Sequence, residues 1–177
     1  MVSMQHGELT VRDGSVVDVV RTSALLRRCL LASPEIYSDQ VAEAYSQYLT
    51  PATLRGFLEV GGHLLVAEKQ LQLVGFTCGV PDSASARFGT YYGAWVAVDP
   101  TVRLQGIGSR LLREIEERAF ASGCHKFYVL VQTTNVPAIR FFQRAGYLTE
   151  GLLQRHWNGS DFYLLSHFAE RMNAIRS

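Results

Sequence analysis

The amino-acid sequence predicts a mixed α/β fold, with a central, mostly antiparallel sheet of about seven strands and with four helices. Seven short runs of apolar or alternating residues are typical of strands, and amphipathic stretches separate several of them. The predicted strands cover residues 8–12, 63–68, 71–80, 91–98, 126–131, 147–156 and 161–168. The fifth run is continuously apolar and follows a helix, so we expect it to lie parallel to the fourth. Asn158-Gly159 favours a type I′ turn, which makes the last two strands a hairpin.

The helices are predicted from their caps and breakers as well as from their periodicity. Asp18 can cap a first helix, which ends before Ser33-Pro34. A second helical region from Glu35 to Leu58 is interrupted at Thr50-Pro51, which divides it into two short helices. Asn135 is a suitable N-cap for the last helix, because its side chain can accept a hydrogen bond from the first turn.

The stretch from Tyr91 to Ser109 joins a predicted strand to a helix that opens with glycine. An amphipathic pattern with one apolar face begins at Gln105. Gly106 and Gly108 lack a Cβ, so a phosphate could approach the N–H groups of the first helical turn, which have no intrahelical partner. The alternative is that these glycines only make a tight turn into a packed helix. A dinucleotide-binding G-x-G-x-x-G would need glycine at Leu111, and a P-loop would need Gly-Lys-Ser/Thr, so neither motif fits.

Composition limits the classes of function. A chain of 177 residues with 47% hydrophobic content fits one domain, 1–177, with one core. The 17 basic and 16 acidic residues give a net charge of +1, so no broad attraction to nucleic acid or to anionic lipid is expected. Cys29, Cys78 and Cys124 have no C-x-x-C spacing, so we expect neither a disulfide framework nor a metal site. The chain opens without an apolar h-region and has no apolar run of membrane-spanning length, which predicts a cytoplasmic protein.

Two blocks of the chain match the motifs of one family. The block Arg103-Leu104-Gln105-Gly106-Ile107-Gly108 has the spacing R-x-x-G-x-G and follows Val96-Ala97-Val98-Asp99-Pro100. Residues 135–147, NVPAIRFFQRAGY, look like N-x-x-A-I-x-F-Y-x-K-x-G-F. In this order they resemble the acetyl-CoA-binding motifs of the GNAT superfamily of N-acetyltransferases, over roughly the middle third of the chain.

The resemblance implies a GNAT-like fold, in which the parallel central pair of strands splays apart at an acetyl-CoA site. Acetyl-CoA would be the cosubstrate, and no metal would be needed. The N–H of Val96 or Val98 would bond the thioester oxygen and the pantetheine amides. The residues that the resemblance assigns to the cofactor are Val96, Ala97, Val98, Arg103, Leu104, Gln105, Gly106, Ile107, Gly108, Ser109, Asn135 and Phe142.

Two residues depart from the family's pattern. Phe142 stands where the usual general-acid tyrosine would be, and Leu130 stands where some branches carry a glutamate. A thiol has a pKa of about 8.5, so a CoA thiolate can leave near neutral pH without that acid. The acceptor amine must still lose a proton, and Tyr92 is our catalytic candidate, because it shares strand parity with the cofactor-binding valines and could anchor a water. Further candidates are His125, His156 and Tyr163.

The amine acceptor is predicted to lie between the 35–58 segment and the Asn158-Gly159 hairpin. Aromatic residues that could stack on it there are Tyr37, Tyr45, Trp157 and Tyr163. Arg21, Arg27 and Arg28 form either a solvated face or a lip over an anionic acceptor or the CoA phosphates. A small-molecule amine, such as an amino sugar, and a peptide both fit, with a monomer or homodimer and without a nucleic-acid or membrane partner. The alternative function, which Phe142 and Leu130 motivate, is a catalytically silent CoA-binding regulatory module.

Overall fold

The computed structural model describes residues 8–82 and 89–169, and within them seven strands form one sheet. The strands are β1 (Leu9–Asp13), β2 (His63–Lys69), β3 (Gln72–Pro81), β4 (Thr90–Val98), β5 (Lys126–Gln132), β6 (Leu148–Trp157) and β7 (Ser160–Phe168). Their order across the sheet is β1-β2-β3-β4-β5-β7-β6. β4 pairs with β5 in parallel, whereas β1 with β2, β2 with β3, β5 with β7 and β6 with β7 are antiparallel. The predicted mixed sheet is confirmed.

The same residues contain five α-helices, α1 (Val19–Leu31), α2 (Asp39–Tyr48), α3 (Pro51–Glu59), α4 (Ile107–Ala121) and α5 (Val136–Arg144). The predicted number of four helices is therefore wrong by one, because the second helical region divides at Thr50 into two helices, a division that its sequence does predict. The Thr50 side chain accepts a hydrogen bond from the Thr53 N–H and thereby caps α3. In the same way Asn135 Oδ1 accepts from the Ala138 N–H at 3.1 Å and caps α5.

The described residues within 1–80 and 93–118 form one compact unit. In this unit α4 packs on β3 at Gly75, where an added Cβ would lie 3.1 Å from Leu111 Cδ1 and 3.2 Å from Ile107 Cγ2. Both of those side chains are buried, so the apolar stripe predicted for α4 is its packed face. The missing side chain at Gly75 therefore lets the helix that carries the glycine turn lie directly on the sheet.

Arg12 on β1 joins two carboxylates of the same unit. Its Nη2 lies 2.9 Å from Asp18 Oδ1, and its Nε lies 3.0 Å from Glu68 Oε2. Hydrogen bonds from Arg12 hold the pKa of both carboxyls below their ordinary values, against the opposing effect of burial. Asp18 precedes α1, but its side chain makes no capping hydrogen bond, contrary to our expectation. The reason is that Arg12 and the Ser15 N–H occupy its oxygens.

The described residues within 81–92 and 119–177 form a second compact unit. On one face of β5, Phe127, Val129 and Val131 are buried. This face is linked to α5 through Tyr147, whose ring centroid lies 6.4 Å from that of Phe127 and 5.1 Å from that of Phe142. The alternate residues of β5 lie on its other face and are partly exposed; they are Lys126, Tyr128, Leu130 and Gln132.

Two hairpin turns use residues with a left-handed backbone. The turn between β2 and β3 lies at Gln70 (φ 52) and Leu71 (φ 63), one residue later than the predicted Lys69-Gln70, because Lys69 pairs with Gln72. Positive φ angles of 49 and 73 at Asn158 and Gly159 agree with the type I′ turn predicted there. Residues 1–7, part of the opening stretch on which the expected cytoplasmic location depends, lie outside the described residues.

Candidate active site

The carboxyl end of β4 carries two backbone N–H groups that point away from β3. The Asp99 N–H donates to the Val74 carbonyl of β3 at 2.8 Å. Hydrogen-bonding direction alternates along a strand, so the N–H groups of Val96 and Val98 point to the opposite edge of β4. The parallel register of β4 with β5 covers only Thr90–Tyr92, so both valines lie beyond the paired part of the strand. In this position their N–H groups can serve a bound molecule.

The loop that follows β4 is held by its own side chains. Asp99 Oδ1 accepts hydrogen bonds from the N–H and the Oγ1 of Thr101, at 3.0 and 2.7 Å, and caps a 3₁₀ turn at Pro100–Val102. These hydrogen bonds, with a further one from Arg28, hold the pKa of Asp99 below its ordinary value. Arg103 Nε donates to the Val98 carbonyl at 3.2 Å. The turn is thus tied back to the strand that it leaves.

The loop enters α4 through two residues with a left-handed backbone, Leu104 (φ 64) and Gly106 (φ 77). Residues 103–106 are exposed, and a Cβ added to Gly106 would meet no atom within 4 Å. The helix begins at Ile107, two residues later than predicted, and the Arg110 N–H donates to the Gly106 carbonyl at 3.0 Å. The N–H groups of residues 107–109, which precede Arg110 in the first turn, therefore have no intrahelical partner. Together with the helix dipole, this open turn has the geometry of an anion-binding site.

Residues of α1 reach the same loop. Arg28 Nη2 lies 2.8 Å from Asp99 Oδ2, and Cys29 Sγ donates to the last carbonyl of β4 at 3.4 Å. Burial raises the pKa of the Cys29 thiol, which keeps it protonated. An open depression of about 500 Å³ lies here, lined by Arg28, Leu31, Ala32, Asp99, Pro100 and Thr101. Of the arginines predicted to form either a solvated face or a lip, Arg28 lies beside the loop, whereas Arg21 pairs with Glu68.

The second unit contains the other two residues assigned to the cofactor. Asn135 stands at the N-terminus of α5, where its amide oxygen is engaged in capping. Phe142 is buried in α5, and its ring centroid lies 5.1 Å from those of Phe141 and Tyr147. A phenyl ring in this setting has no proton to deliver to a leaving thiolate.

Tyr92, the catalytic candidate, lies at the last paired position of β4 and contacts Tyr128 of β5. The two rings are 5.3 Å apart and tilted by 33°. Both side chains are partly exposed, and Leu130 follows Tyr128 on the same face of β5. Sequence reasoning missed Tyr128, because only the register that places it opposite Tyr92 makes it a neighbour.

The four predicted acceptor residues fall into two pairs. Tyr37 and Tyr45 make an edge-to-face contact with ring centroids 5.6 Å apart, and Tyr45 makes a second one with Trp95 at 5.0 Å. Burial raises the pKa of Tyr45, which is 9% exposed and whose ring is mainly a packing group. Trp157 and Tyr163 lie in the second unit, partly exposed, on different rungs of the β6–β7 hairpin. Sequence reasoning missed Trp95 as a member of the first group.

No group of three or more His, Cys, Asp or Glu side chains within residues 8–82 and 89–169 is arranged to hold a metal ion. None of the helices in those ranges is long and apolar enough to span a bilayer.

The mixed sheet, its parallel β4–β5 pair and the glycine turn into α4 define the fold class that the two motifs imply. The model of the acetyltransferase (GNAT) family matches residues 26–147, which is more than half of the chain. The chain therefore belongs to the acetyltransferase (GNAT) family.

Solved structures share this fold at low sequence identity. The PaiA N-acetyltransferase of Thermoplasma acidophilum, solved in complex with coenzyme A, superposes with a TM-score of 0.77 at 18% identity, over 92% of this chain and 99% of that one. The yncA protein of Salmonella typhimurium, solved with acetyl-CoA, gives a TM-score of 0.69 at 17% identity, over 91% and 94% of the two chains.

Curated relatives match shorter stretches. An uncharacterised protein of Mycobacterium leprae is 36% identical over 77 residues, which are 42% of this chain and 21% of that protein. The uncharacterised protein YdhI of Bacillus subtilis is 35% identical over 52 residues, or 29% and 32% of the two chains. The chain thus spans about a fifth to a third of the length of the curated relatives that it matches.

Proposed function

We propose that the chain is an acetyl-CoA-dependent N-acetyltransferase that acetylates a primary amine of a small molecule, such as an amino sugar, or of a peptide. It would act in the cytoplasm as a single-domain monomer or homodimer. The observation that carries the proposal is the tied loop after β4, whose left-handed Leu104 and Gly106 lead into the open N-terminus of α4. Membership of the GNAT family and likeness in fold to structures solved with coenzyme A and acetyl-CoA support it.

In this proposal the loop and the first turn of α4 bind the CoA pyrophosphate through the backbone of residues 104–109. The positive end of the helix dipole favours the anion, and no side chain at Gly106 or Gly108 blocks its approach. The N–H groups of Val96 and Val98 donate to the pantetheine amides and to the thioester oxygen. Donors fixed in a strand stabilise the negative charge of the tetrahedral intermediate at little reorganisation cost.

The chemical step needs a neutral amine and a departing thiolate. The amine nitrogen attacks the thioester carbon, the C–S bond breaks as the intermediate collapses, and the nitrogen gives up one proton. Tyr92 would hold the water that removes this proton, since a phenol with a pKa of about 10 is itself a poor base near neutral pH. Because Phe142 cannot act as an acid, the CoA thiolate leaves as such and takes its proton from solvent.

The proposal is tested with the full chain and a panel of primary amines that includes amino sugars, alkyl amines, aryl amines and short peptides. Calorimetry measures CoA binding, and a thiol-reactive dye follows CoA release from acetyl-CoA. We expect CoA to bind and at least one amine to accelerate thiol release above the rate with acetyl-CoA alone. Failure to bind CoA would overturn the proposal.

The second candidate function is a regulatory module that binds CoA without turning it over. The burial of Phe142 among aromatic rings and the presence of Leu130 favour it, because neither position offers a proton donor or base. CoA binding without amine-dependent thiol release, across the whole panel, would support this module and exclude the transferase.

A further inference from the structure

A polar atom at the carboxyl end of β5 is buried without a hydrogen-bond partner. Gln132 Nε2 donates to Ser160 Oγ at 3.2 Å, whereas Gln132 Oε1 is shielded from solvent and has no hydrogen bond within the described residues. Nearly all buried polar atoms in proteins are paired, because an unpaired one has lost its water without compensation. Such an oxygen is completed either by a water or by a ligand.

The surroundings of this amide are apolar and aromatic. Gln132 follows Tyr128 and Leu130 along the partly exposed face of β5. Opposite it on β7 lies Phe162, which is 5% exposed and packs against His156 with ring centroids 5.8 Å apart. The amide therefore lies at one end of an apolar surface, formed by Tyr128 and Leu130, on which an apolar group of a ligand can pack.

Its place in the sheet is one where α/β proteins bind ligands, outside the carboxyl ends of parallel strands. Gln132 is the last residue of β5, and its carbonyl accepts from the N–H of Asn135, the motif residue that caps α5, at 2.9 Å. Its side chain is bonded to Ser160, which pairs with Trp157 across the hairpin. The amide thus connects a residue predicted to serve the cofactor with the hairpin predicted to serve the acceptor.

We infer that Gln132 Oε1 accepts a hydrogen bond from the N–H of the acceptor amine, and that this amine is carried by an alkyl or aryl body that packs on Tyr128 and Leu130. The inference rests on the proposed function. The terminal torsion of glutamine is soft, so the amide can give up its hydrogen bond to Ser160 and turn its oxygen towards a ligand that enters from the exposed side of the residue.

A neutral hydrogen-bond acceptor beside the amine suits the reaction better than a carboxylate would. A carboxylate beside the amine would raise the pKa of the amine and hold it as an unreactive ammonium ion. An amide oxygen orients an N–H bond without that effect, and it stabilises the same N–H when the nitrogen becomes cationic in the tetrahedral intermediate.

The test replaces Gln132 by methionine, which has a similar length and no hydrogen-bonding amide. We expect Gln132→Met to raise KM for the best alkyl or aryl amine about tenfold, as the loss of one hydrogen bond predicts. KM for acetyl-CoA and the CoA affinity should not change. The melting temperature should change little, because the variant loses the hydrogen bond to Ser160 but also removes the orphaned oxygen. Gln154→Met, at an exposed position of β6, is the matched control and should alter none of these values.

A second variant separates the loss of the hydrogen-bond-accepting oxygen from the loss of the N–H donor of the amide. Gln132→Glu retains an oxygen acceptor, so we expect it to bind the amine better than Gln132→Met, with the pH profile of kcat/KM shifted upward because the carboxylate favours the ammonium form. If the wild type is active and the folded Gln132→Met variant has the same KM for the amine, the inference is overturned. A rise in KM for acetyl-CoA would also overturn it and assign the amide to the cofactor. Absence of amine-dependent thiol release in the wild type would overturn the proposed transferase itself.

Discussion

Arg103 Nε donates a hydrogen bond to the carbonyl oxygen of Val98 at 3.2 Å, and this contact closes the loop between the last residue of β4 and the glycine turn. Asp99 holds the middle of the same loop through Thr101. The conformation is therefore held by the protein's own groups before any anion binds. Such a loop loses little conformational entropy when a phosphate arrives.

Gly108→Glu is expected to abolish CoA binding while the fold is retained. The new side chain places bulk and a negative charge at the N-terminus of α4, where the pyrophosphate is proposed to lie. Calorimetry with CoA and a thermal melt together measure the effect. If a folded Gly108→Glu variant binds CoA as tightly as the wild type does, the cofactor does not use this turn.

Leu104→Gly is expected to stabilise the protein. Leu104 has a φ of 64 and is fully exposed, so the strain of its left-handed backbone is not offset by packing of its side chain. Relief of about 1–2 kcal/mol of strain, less the extra entropy of glycine in the unfolded chain, leaves a gain of roughly 0.5–1 kcal/mol. Urea unfolding checks it. Leu148→Gly, at an exposed position of β6 without a positive φ, should instead destabilise, and an equal response of both variants would refute the strain argument.

Phe142→Tyr is expected to raise kcat, by no more than the roughly 10² to 10⁴ typical of acid catalysis, and to leave CoA affinity nearly unchanged. The new hydroxyl would supply the proton that the departing thiolate otherwise takes from solvent. Steady-state kinetics with the active amine measures this. Phe142 is buried against Phe141 and Tyr147, so a slower variant with intact CoA binding would mean that the hydroxyl disturbs packing and that proton delivery does not limit the rate.

Arg12→Gln is expected to cost about 1–2 kcal/mol of stability at neutral pH, at the low end for hydrogen bonds to charged groups, because Arg12 is partly exposed and Arg21 also contacts Asp18 and Glu68. The pKa values of both carboxyls are lowered in the folded state. Their contribution is therefore complete above their unfolded values, near pH 4, and is lost as the pH falls through the folded values.

Urea unfolding from pH 7 to pH 3 measures this dependence. The difference in free energy of unfolding between wild type and Arg12→Gln should shrink as the pH falls below about 4. Asp13→Asn removes a pair in which the carboxylate is largely exposed, with Arg118, and should change stability by less than about 1 kcal/mol. If the difference in free energy of unfolding between wild type and Arg12→Gln stays constant from pH 7 to pH 3, the stabilisation by Arg12 does not depend on the ionisation of the two carboxyls.

Trp157→Ala is expected to raise KM for the amine while KM for acetyl-CoA stays nearly fixed, because lost stacking area weakens ground and transition states alike. If Trp157 only packs against the sheet, the substitution lowers stability by about 3–5 kcal/mol instead. Thermal melts run beside the kinetics distinguish the two. A lower melting temperature with an unchanged amine KM would leave the residues around Tyr37 as the wall of the acceptor site.

Much of the fold could be predicted because its signals are local. The division of the second helical region at Thr50-Pro51, the cap at Asn135 and the positive φ angles at Asn158-Gly159 each depend on the chemistry of a few adjacent residues. The strand ending at Val98 and the glycine turn were legible for the same reason. Neighbouring residues decide these features, whatever the rest of the chain does.

The sequence by itself determined the order of strands and helices, the glycine turn and the absence of an acid at Phe142. The tertiary structure alone decided that Asp18 serves Arg12 instead of capping α1, that Tyr128 lies against Tyr92, and that an oxygen of Gln132 is buried without a partner. Tyr92 and Tyr128 are distant in sequence, as are Gln132 and Ser160. Arg12 is near Asp18 in sequence, but it also donates to Glu68 of β2, which is distant. Strand register and packing bring such residues together. A local sequence pattern does not specify which strands pair or in which register.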